Sequence, residues 1–368
     1  VIRASQWGQD VRLFRARNFT AWVFGLLFLY GLLQWWSRTS DALAAFADAL
    51  AFGTVAFLVY GLVLLWIIVR LDRYAAVPTG ARVLAIVWGG LVATYGMAAN
   101  YNNALRGILT KLGGAEFAET WHLALGPGFS EEVSKGLVVV LMMGLSTKLV
   151  RSAFDGFILG ALSGLGFQIF ENVVYSYQVA QSNFGEIQFS VINSVFRAVV
   201  GLAGHWMWSA IVGAGVVYLI GTAAESARRG RGLALIVTPM LLHALWDATG
   251  VFFGGSNLVL GAIMILTTIA FVWTYRQTVA RERGWMRDLL APEVAAGVLT
   301  ADEADAAAGP RKTRRAFVKS ADGHAARKAA RHVVEAARDL ADEIARAGGH
   351  DTDRVDHTRA EVARLRMS

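Results

Sequence analysis

Eight apolar runs, each close to the ~20 residues a helix needs to cross a bilayer, set the terms on which this chain can fold. They lie near residues 19–36, 49–69, 83–105, 127–145, 153–178, 194–220, 233–253 and 258–275. Hydrocarbon offers backbone N–H and C=O groups no partner, so each run satisfies its own by forming a helix. The expected fold is therefore all-α: a polytopic membrane bundle of about eight transmembrane helices. Composition agrees, with 55% of the 368 residues hydrophobic and 17% charged. A soluble domain that apolar would have too little polar surface to show water. Cysteine is absent, which excludes disulfides, thiol catalysis and Cys-ligated zinc. The net charge of +7 points to cytoplasmic loops and anionic lipid in a chain of this class, and no nucleic-acid partner is expected.

The loops give the orientation. Arg70, Arg73 and Arg82 lie between the second and third runs, and Lys148 and Arg151 follow the fourth. Arg228, Arg229 and Arg231 follow the sixth, and Arg276, Arg281, Arg283 and Arg287 the eighth. The alternate connections are poorer in base: Arg38 with Asp41, Arg106 and Lys111 with Glu116 and Glu119, Glu186, and an uncharged stretch at 254–257. The positive-inside rule then predicts a multi-pass protein of the cell membrane with both termini cytoplasmic. The basic start (Arg3, Arg12, Arg15, Arg17) leads into a run too long for a signal-peptide core, so no secretory signal is expected.

Residues 1–280 form the expected membrane domain, with a motif-bearing core at 121–253. Residues 281–368 form a charged cytoplasmic tail, partly helical or disordered. Within it Thr300-Ala-Asp-Glu303 resembles a capping box, and 325–345 has amphipathic periodicity. Arg311-Lys312-Thr313-Arg314-Arg315 reads as a solvated stretch, with lipid headgroup contact as the second reading. The tail is expected to have no catalytic part.

Ionisable residues inside the apolar runs cost roughly 2.5–3.5 kcal/mol each on insertion scales, so a chain that keeps several is expected to use them. Ser130-Glu131-Glu132-Val133-Ser134-Lys135 opens the fourth run. The fifth carries Glu171-Asn172, the sixth His205 and Ser209, and the seventh His243 and Asp247. Positions four apart share a helix face, which pairs Glu131 with Lys135, His205 with Ser209, and His243 with Asp247. At 1.5 Å per residue, Glu131 lies about 6 Å from the outer end of its run, Glu171 about 13 Å and His205 about 16 Å. On the same rise His243 lies about 15 Å and Asp247 about 9 Å from theirs. These values describe one layer in the extracytoplasmic half, and hence a shared polar cavity. Gly156, Gly160 and Gly164 repeat every four residues in the fifth run, the small-residue spacing that lets helix backbones approach and marks a buried central helix.

Carboxylates and imidazoles converging in this way can activate a water molecule and hold an oxyanion. They can equally ligate a divalent metal, since two histidines, a carboxylate and a water make a common hydrolytic zinc site. Other membrane-protease patterns fit poorly. His-Glu-x-x-His and Gly-x-Gly-Asp are absent, and Ala161-Leu162-Ser163-Gly164 only approximates the rhomboid motif, leaving Ser163 as a packing residue.

Glu131-Glu132-x-x-Lys135, Phe167-x-x-x-Glu171-Asn172, His205-x-x-x-Ser209 and His243-x-x-x-Asp247 follow one another on four successive runs. In that order they resemble the PrsW family, a branch of the CAAX-protease and bacteriocin-processing superfamily of intramembrane glutamate proteases. The resemblance covers roughly residues 121–250. It implies an endopeptidase without a covalent intermediate and, in the glutamate-type reading, without a cofactor. PrsW-type proteins are associated with site-one cleavage of membrane-spanning anti-sigma factors, so the implied substrate is a single-pass membrane protein of that kind. By motif position Glu131 is the water-activating base, assisted by Glu132, while His243 with Asp247 orients the substrate carbonyl or stabilises its oxyanion. Glu171 stands where CAAX proteases carry histidine, so either Glu171 or His205 is the helper of Glu131. Lys135, Asn172 and Ser209 are support or substrate-binding residues. Two other readings stay open: a zinc-dependent membrane hydrolase, and a transporter or scaffold that keeps the polar cavity without proteolysis.

Overall fold

The computed structural model describes residues 15–72, 74, 77–147, 149–222 and 225–367. Arg3, Arg12, Arg73 and Lys148, which carry part of the charge argument, lie outside them. The described residues form helices and turns with no strand, in two compact units. One comprises the described residues up to 222 together with 226–275; the other comprises Glu225 and 276–367.

The first unit is a helical membrane bundle. In chain order its elements are α1 (Phe19–Ala45), α2 (Ala47–Leu71) and α3 (Thr79–Val87). A π-helical stretch, Trp88–Ala98, leads into α4 (Ala99–Leu125), followed by α5 (Pro127–Leu145) and α6 (Ala153–Ser182). Then come α7 (Ile187–Val200), a 3-10 turn at Gly201–Ala203, α8 (His205–Ile220), α9 (Arg229–Asp247), α10 (Thr249–Phe253) and the first half of α11 (Asn257–Ala295).

α6 is the axis of the bundle. Every residue from 153 to 169 is buried, with α8 on one side and α2 and the π-helical stretch on another. The glycine ladder explains how α8 comes so near. A Cβ on Gly160 would overlap the carbonyl of Ser209, and one on Gly164 the carbonyl of His205. The small residues thus bring α6 against the helix that carries two of the expected site residues. At its start, Arg151 donates to Asp155 through Nε and Nη2 at 2.9 and 3.0 Å, with both side chains 1% exposed. Apolar side chains of α1, α2 and α11, such as Leu33, Leu62 and Ile269, remain exposed, as lipid-facing surfaces are.

Among the described residues, six helical segments are long and apolar enough to cross a membrane. α5 and α9 fall outside that set, although each has 19 residues. The reason is chemical: α5 holds Glu131, Glu132 and Lys135, while α9 holds Arg229, Arg231 and Asp247. Two expected elements have a different shape. The third run does not end near residue 105; helix continues from Thr79 to Leu125 with a reversal at Gly114, whose φ of 87° suits glycine. Beyond the reversal the chain folds back: Arg106 pairs with Glu119, and Ser130 Oγ donates to Asn102 Oδ1 at 2.7 Å. The sixth run is also not one helix, because Gly201 and Gly204 separate α7 from α8. Gln168 Nε2 donates to the Gly201 carbonyl at 2.9 Å, satisfying a group that the break releases from the helix ladder.

The second unit contains the end of α11 with α12 (Ala301–Ala308), α13 (Arg311–Ser320), α14 (Gly323–Arg346) and α15 (Asp353–Arg366). The capping box opens α12: Glu303 N donates to Thr300 Oγ1 at 3.2 Å, and Thr300 N donates to Glu303 Oε2 at 2.7 Å. Val318, Val334, Ala337, Leu340 and Ala341 are buried along α13 and α14. Arg359 pairs with Glu293 at 2.7 Å and Arg366 with Glu303 at 2.5 Å.

Candidate active site

Pro127 at the first turn starts α5 where a missing N–H costs nothing. One turn later Glu131, Glu132 and Lys135 all point inward, each at most 5% exposed. Lys135 Nζ lies 2.7 Å from Glu132 Oε1, 3.6 Å from Glu131 Oε2 and 4.2 Å from the centroid of the Phe167 ring. It also lies 2.9 Å from His205 Nδ1. An ammonium only donates, so Nδ1 accepts and the ring proton of His205 is on Nε2. Nε2 then donates to Glu171 Oε2 at 3.0 Å.

The two glutamates of α5 have different surroundings. Glu132 is engaged through both oxygens: Oε1 takes Lys135 and accepts from His243 Nδ1 at 3.1 Å, and Oε2 accepts from Ser209 Oγ at 3.0 Å. Glu131 Oε2 is buried with no hydrogen-bond partner. Around it are His243 Nε2 at 3.7 Å, His205 Nδ1 at 3.8 Å and Lys135 Nζ at 3.6 Å, all beyond hydrogen-bond length. His243 Nε2 is also 3.4 Å from Asp247 Oδ2, and its ring stacks on Trp208 at 4.4 Å between centroids.

Two cavities meet at this carboxylate. One of about 100 Å³ has Trp208, Phe196, Val200 and Trp246 in its wall beside His243 and Asp247. The other, of about 420 Å³, reaches toward Asn102, His122 and Arg38. Glu131, Glu171 and Tyr175 line both, whereas Glu132 lines neither.

The structure brings together every candidate site residue singled out in the sequence, with His205 and Asp247 at helix ends instead of within a span. His205 is the first residue of α8, not one deep within a helix, because Gly201 and Gly204 end α7 before it. Asp247 is the last residue of α9, since α10 is a separate short helix. His205 and Asp247 lie at helix ends and Glu131 and His243 about one turn from theirs, whereas Glu171 meets them from well inside α6. Ser163, fully buried, donates to the Lys135 carbonyl at 3.0 Å, a packing contact. Arg197 on α7 was not foreseen. Its Nη2 lies 2.5 Å from Glu171 Oε2, its Nε donates to Asn172 Oδ1 at 2.5 Å, and its guanidinium stacks 3.8 Å from the centroid of Tyr175. The signal was present in the sequence as an arginine within an apolar run, where a charge is functional by default.

The profile of the PrsW family intramembrane metalloprotease matches residues 77–274, more than half of the chain and all of the helices that build the site. The chain belongs to this family. It is therefore a member of a family of intramembrane proteases, multi-pass in the bilayer, whose substrates are membrane proteins. No curated protein and no solved structure matches it.

The PrsW family's description raises a metal, and Glu131, His205 and His243 have donor atoms within 4.8 Å of one another. Their chemistry suits zinc, whose bonds of about 2.0–2.2 Å to N and O bring ligands to roughly 3.3 Å from each other. Their arrangement does not suit it. The lone pair of His205 Nδ1 is taken by Lys135 at 2.9 Å, and an ion there would have an ammonium as its neighbour. An ion held by this set requires Lys135 to withdraw; with Lys135 in place the set does not fit one.

Proposed function

We propose that this PrsW-family chain is a glutamate-type intramembrane endopeptidase in which Glu131 activates the water that cleaves a single-pass membrane protein. One observation carries the reading: of the paired glutamates, Glu131 alone faces both cavities and has an oxygen without a partner, while Glu132 is fully engaged. A general base needs a free lone pair within reach of the water it deprotonates.

In the proposed reaction the substrate's extended backbone passes between the two cavities, with its scissile carbonyl beside Glu131. Glu131 takes a proton from water as the water oxygen bonds to the carbonyl carbon. His243 in its imidazolium form donates Nδ1–H to Glu132 and Nε2–H to the carbonyl oxygen as that becomes an oxyanion. Asp247 orients His243 from the same face of α9. Glu131 then returns its proton to the amide nitrogen, the C–N bond breaks, and no covalent intermediate forms. Glu171 and His205 act as a pair in this scheme. Glu171 fixes the ring so that Nδ1 receives Lys135, which keeps the lysine between the two carboxylates. Ser209 and Asn172 support Glu132 and Arg197 respectively.

By the positive-inside rule the converging helix ends are extracytoplasmic and both termini cytoplasmic. Cleavage at that face is the site-one position, and an anti-sigma factor is a substrate of the right kind. Comparative membrane proteomics of wild-type and Glu131→Gln cells tests this reading. A single-pass protein shortened on its outer side only in wild-type cells is expected; identical membrane proteomes contradict it. A zinc-dependent hydrolase is the second reading, and it requires Lys135 to withdraw from His205 Nδ1 so that Glu131, His205 and His243 can hold an ion. It predicts stoichiometric zinc in active protein. A transporter or scaffold predicts flux or binding with no cleavage product.

A further inference from the structure

Between Arg311 and Glu335 the chain carries eight Lys and Arg residues against two carboxylates, Asp322 and Glu335. α13 and α14 turn Val318, Val333, Val334 and Ala337 inward, which leaves their bases on the outer faces. Those faces flank a groove of about 510 Å³ lined by Arg311, Arg314, Arg315, Lys319, Arg331 and Glu335. A neighbouring cavity of about 440 Å³ shares Arg331 and Glu335 and adds Arg327 and Lys328.

Elsewhere in this unit arginines have carboxylate partners: Arg281 with Glu225, Arg287 with Asp305, Arg359 with Glu293 and Arg366 with Glu303. Among the described residues, the five bases of the groove form no ion pair. Like charges gathered on one concave face repel one another, and solvent ions screen charges closer than the ~8 Å Debye length of physiological salt only in part. The fold sets one carboxylate, Glu335, against five bases in this groove. An external anion would neutralise them, and guanidinium forks match phosphate oxygens two at a time. A groove of this volume holds far more than one orthophosphate. No Phe, Tyr, Trp or His lines the groove itself, and the neighbouring cavity adds only His324 and His332, which favours a phosphate group over the stacked bases of a single-stranded nucleic acid.

We propose that the groove between α13 and α14 is a binding site for a phosphate-bearing anion, either an anionic lipid headgroup or a small phosphorylated molecule. Calorimetric titration of the full chain in nonionic detergent tests it with three probes: pyrophosphate, dihexanoyl phosphatidylglycerol and dihexanoyl phosphatidylcholine. Saturable binding of at least one anionic probe is expected, weakened tenfold or more by R314Q/R331Q and unchanged by R354Q, an exposed base on α15. Binding of the anionic lipid alone assigns the headgroup; equal binding of pyrophosphate assigns the phosphate itself. Circular dichroism confirms that each variant is folded, and R315Q/K319Q serves as a second variant with the same expected loss. The proposal is overturned if neither anionic probe binds or if phosphatidylcholine binds equally well. It is also overturned if the folded groove variants bind as tightly as wild type, or if a single-stranded oligonucleotide displaces both anionic probes at lower concentration.

Discussion

Glu132 and His243 are joined by a 3.1 Å hydrogen bond from Nδ1 to Oε1, and that bond fixes which glutamate is free. With Lys135 on the same oxygen and Ser209 on the other, both oxygens of Glu132 are engaged, and it lines neither cavity from which a water molecule could approach. Its neighbour Glu131 lines both.

The pair is therefore expected to separate on mutation. Glu131→Gln lowers the cleavage rate by about 10²–10⁴-fold, the usual range for loss of a general base, with the melting temperature unchanged. Glu132→Ala strips Lys135 of its nearest counter-ion in a fully buried place and costs about 3–5 kcal/mol of stability. Thermal melts beside cleavage rates check both. Equal melting points for the two variants would contradict the assignment.

Arg197 reaches the site through Glu171. Arg197→Gln is expected to lower kcat by roughly tenfold, the scale of a supporting residue in a catalytic cluster, with KM less affected. Arg197→Lys restores part of it, because charge returns without the second contact to Asn172. Steady-state rates on one reporter substrate separate this from a structural role, in which the melting temperature would fall and Lys would not rescue.

The α6–α8 contact leaves no room for side chains. Gly160→Val is expected to destabilise by about 1–3 kcal/mol or more, since overpacking here meets the backbone carbonyl of Ser209 and no flexible side chain can yield. Lower thermal stability should accompany lost activity, because α8 carries His205. Gly230→Ala, at a position with nothing within reach of a Cβ, serves as the control and should change neither.

Lys135 also governs metal binding. Wild-type protein is expected to keep its activity in EDTA and to hold no stoichiometric metal by elemental analysis. Lys135→Met frees His205 Nδ1 and should raise zinc affinity while abolishing cleavage. Stoichiometric zinc in active wild-type protein would replace the water-activating scheme with the metal one.

Much of this architecture is legible in the sequence. Charges inside apolar runs are costly, so Glu131, Glu132, Lys135, Glu171, His205, His243 and Asp247 stood out against their surroundings, and the spacing of Gly156, Gly160 and Gly164 anticipated a central α6. What escaped was geometry that hydropathy does not encode. Gly201 and Gly204 break a run without making it less apolar, so His205 looked mid-helix when it starts one. The reversal at Gly114 joins two helical segments in a stretch that composition assigns to a connection. The site residues of α5 and α9 lower the apolarity of the helices that carry them, which blurs the count of spans. Arg197 is legible too, as a lone charge in an apolar run. The groove of α13 and α14 needed tertiary structure, because a basic stretch in sequence does not show whether its charges are paired.

The most direct test places purified wild-type, Glu131→Gln and Glu132→Gln proteins in liposomes with a labelled single-pass substrate, and follows fragments by mass spectrometry. Cleavage by wild type at one bond near the bilayer face, none by Glu131→Gln, and intact folding of that variant are the predicted results. Cleavage by Glu131→Gln at the wild-type rate and at the same bond would contradict the account.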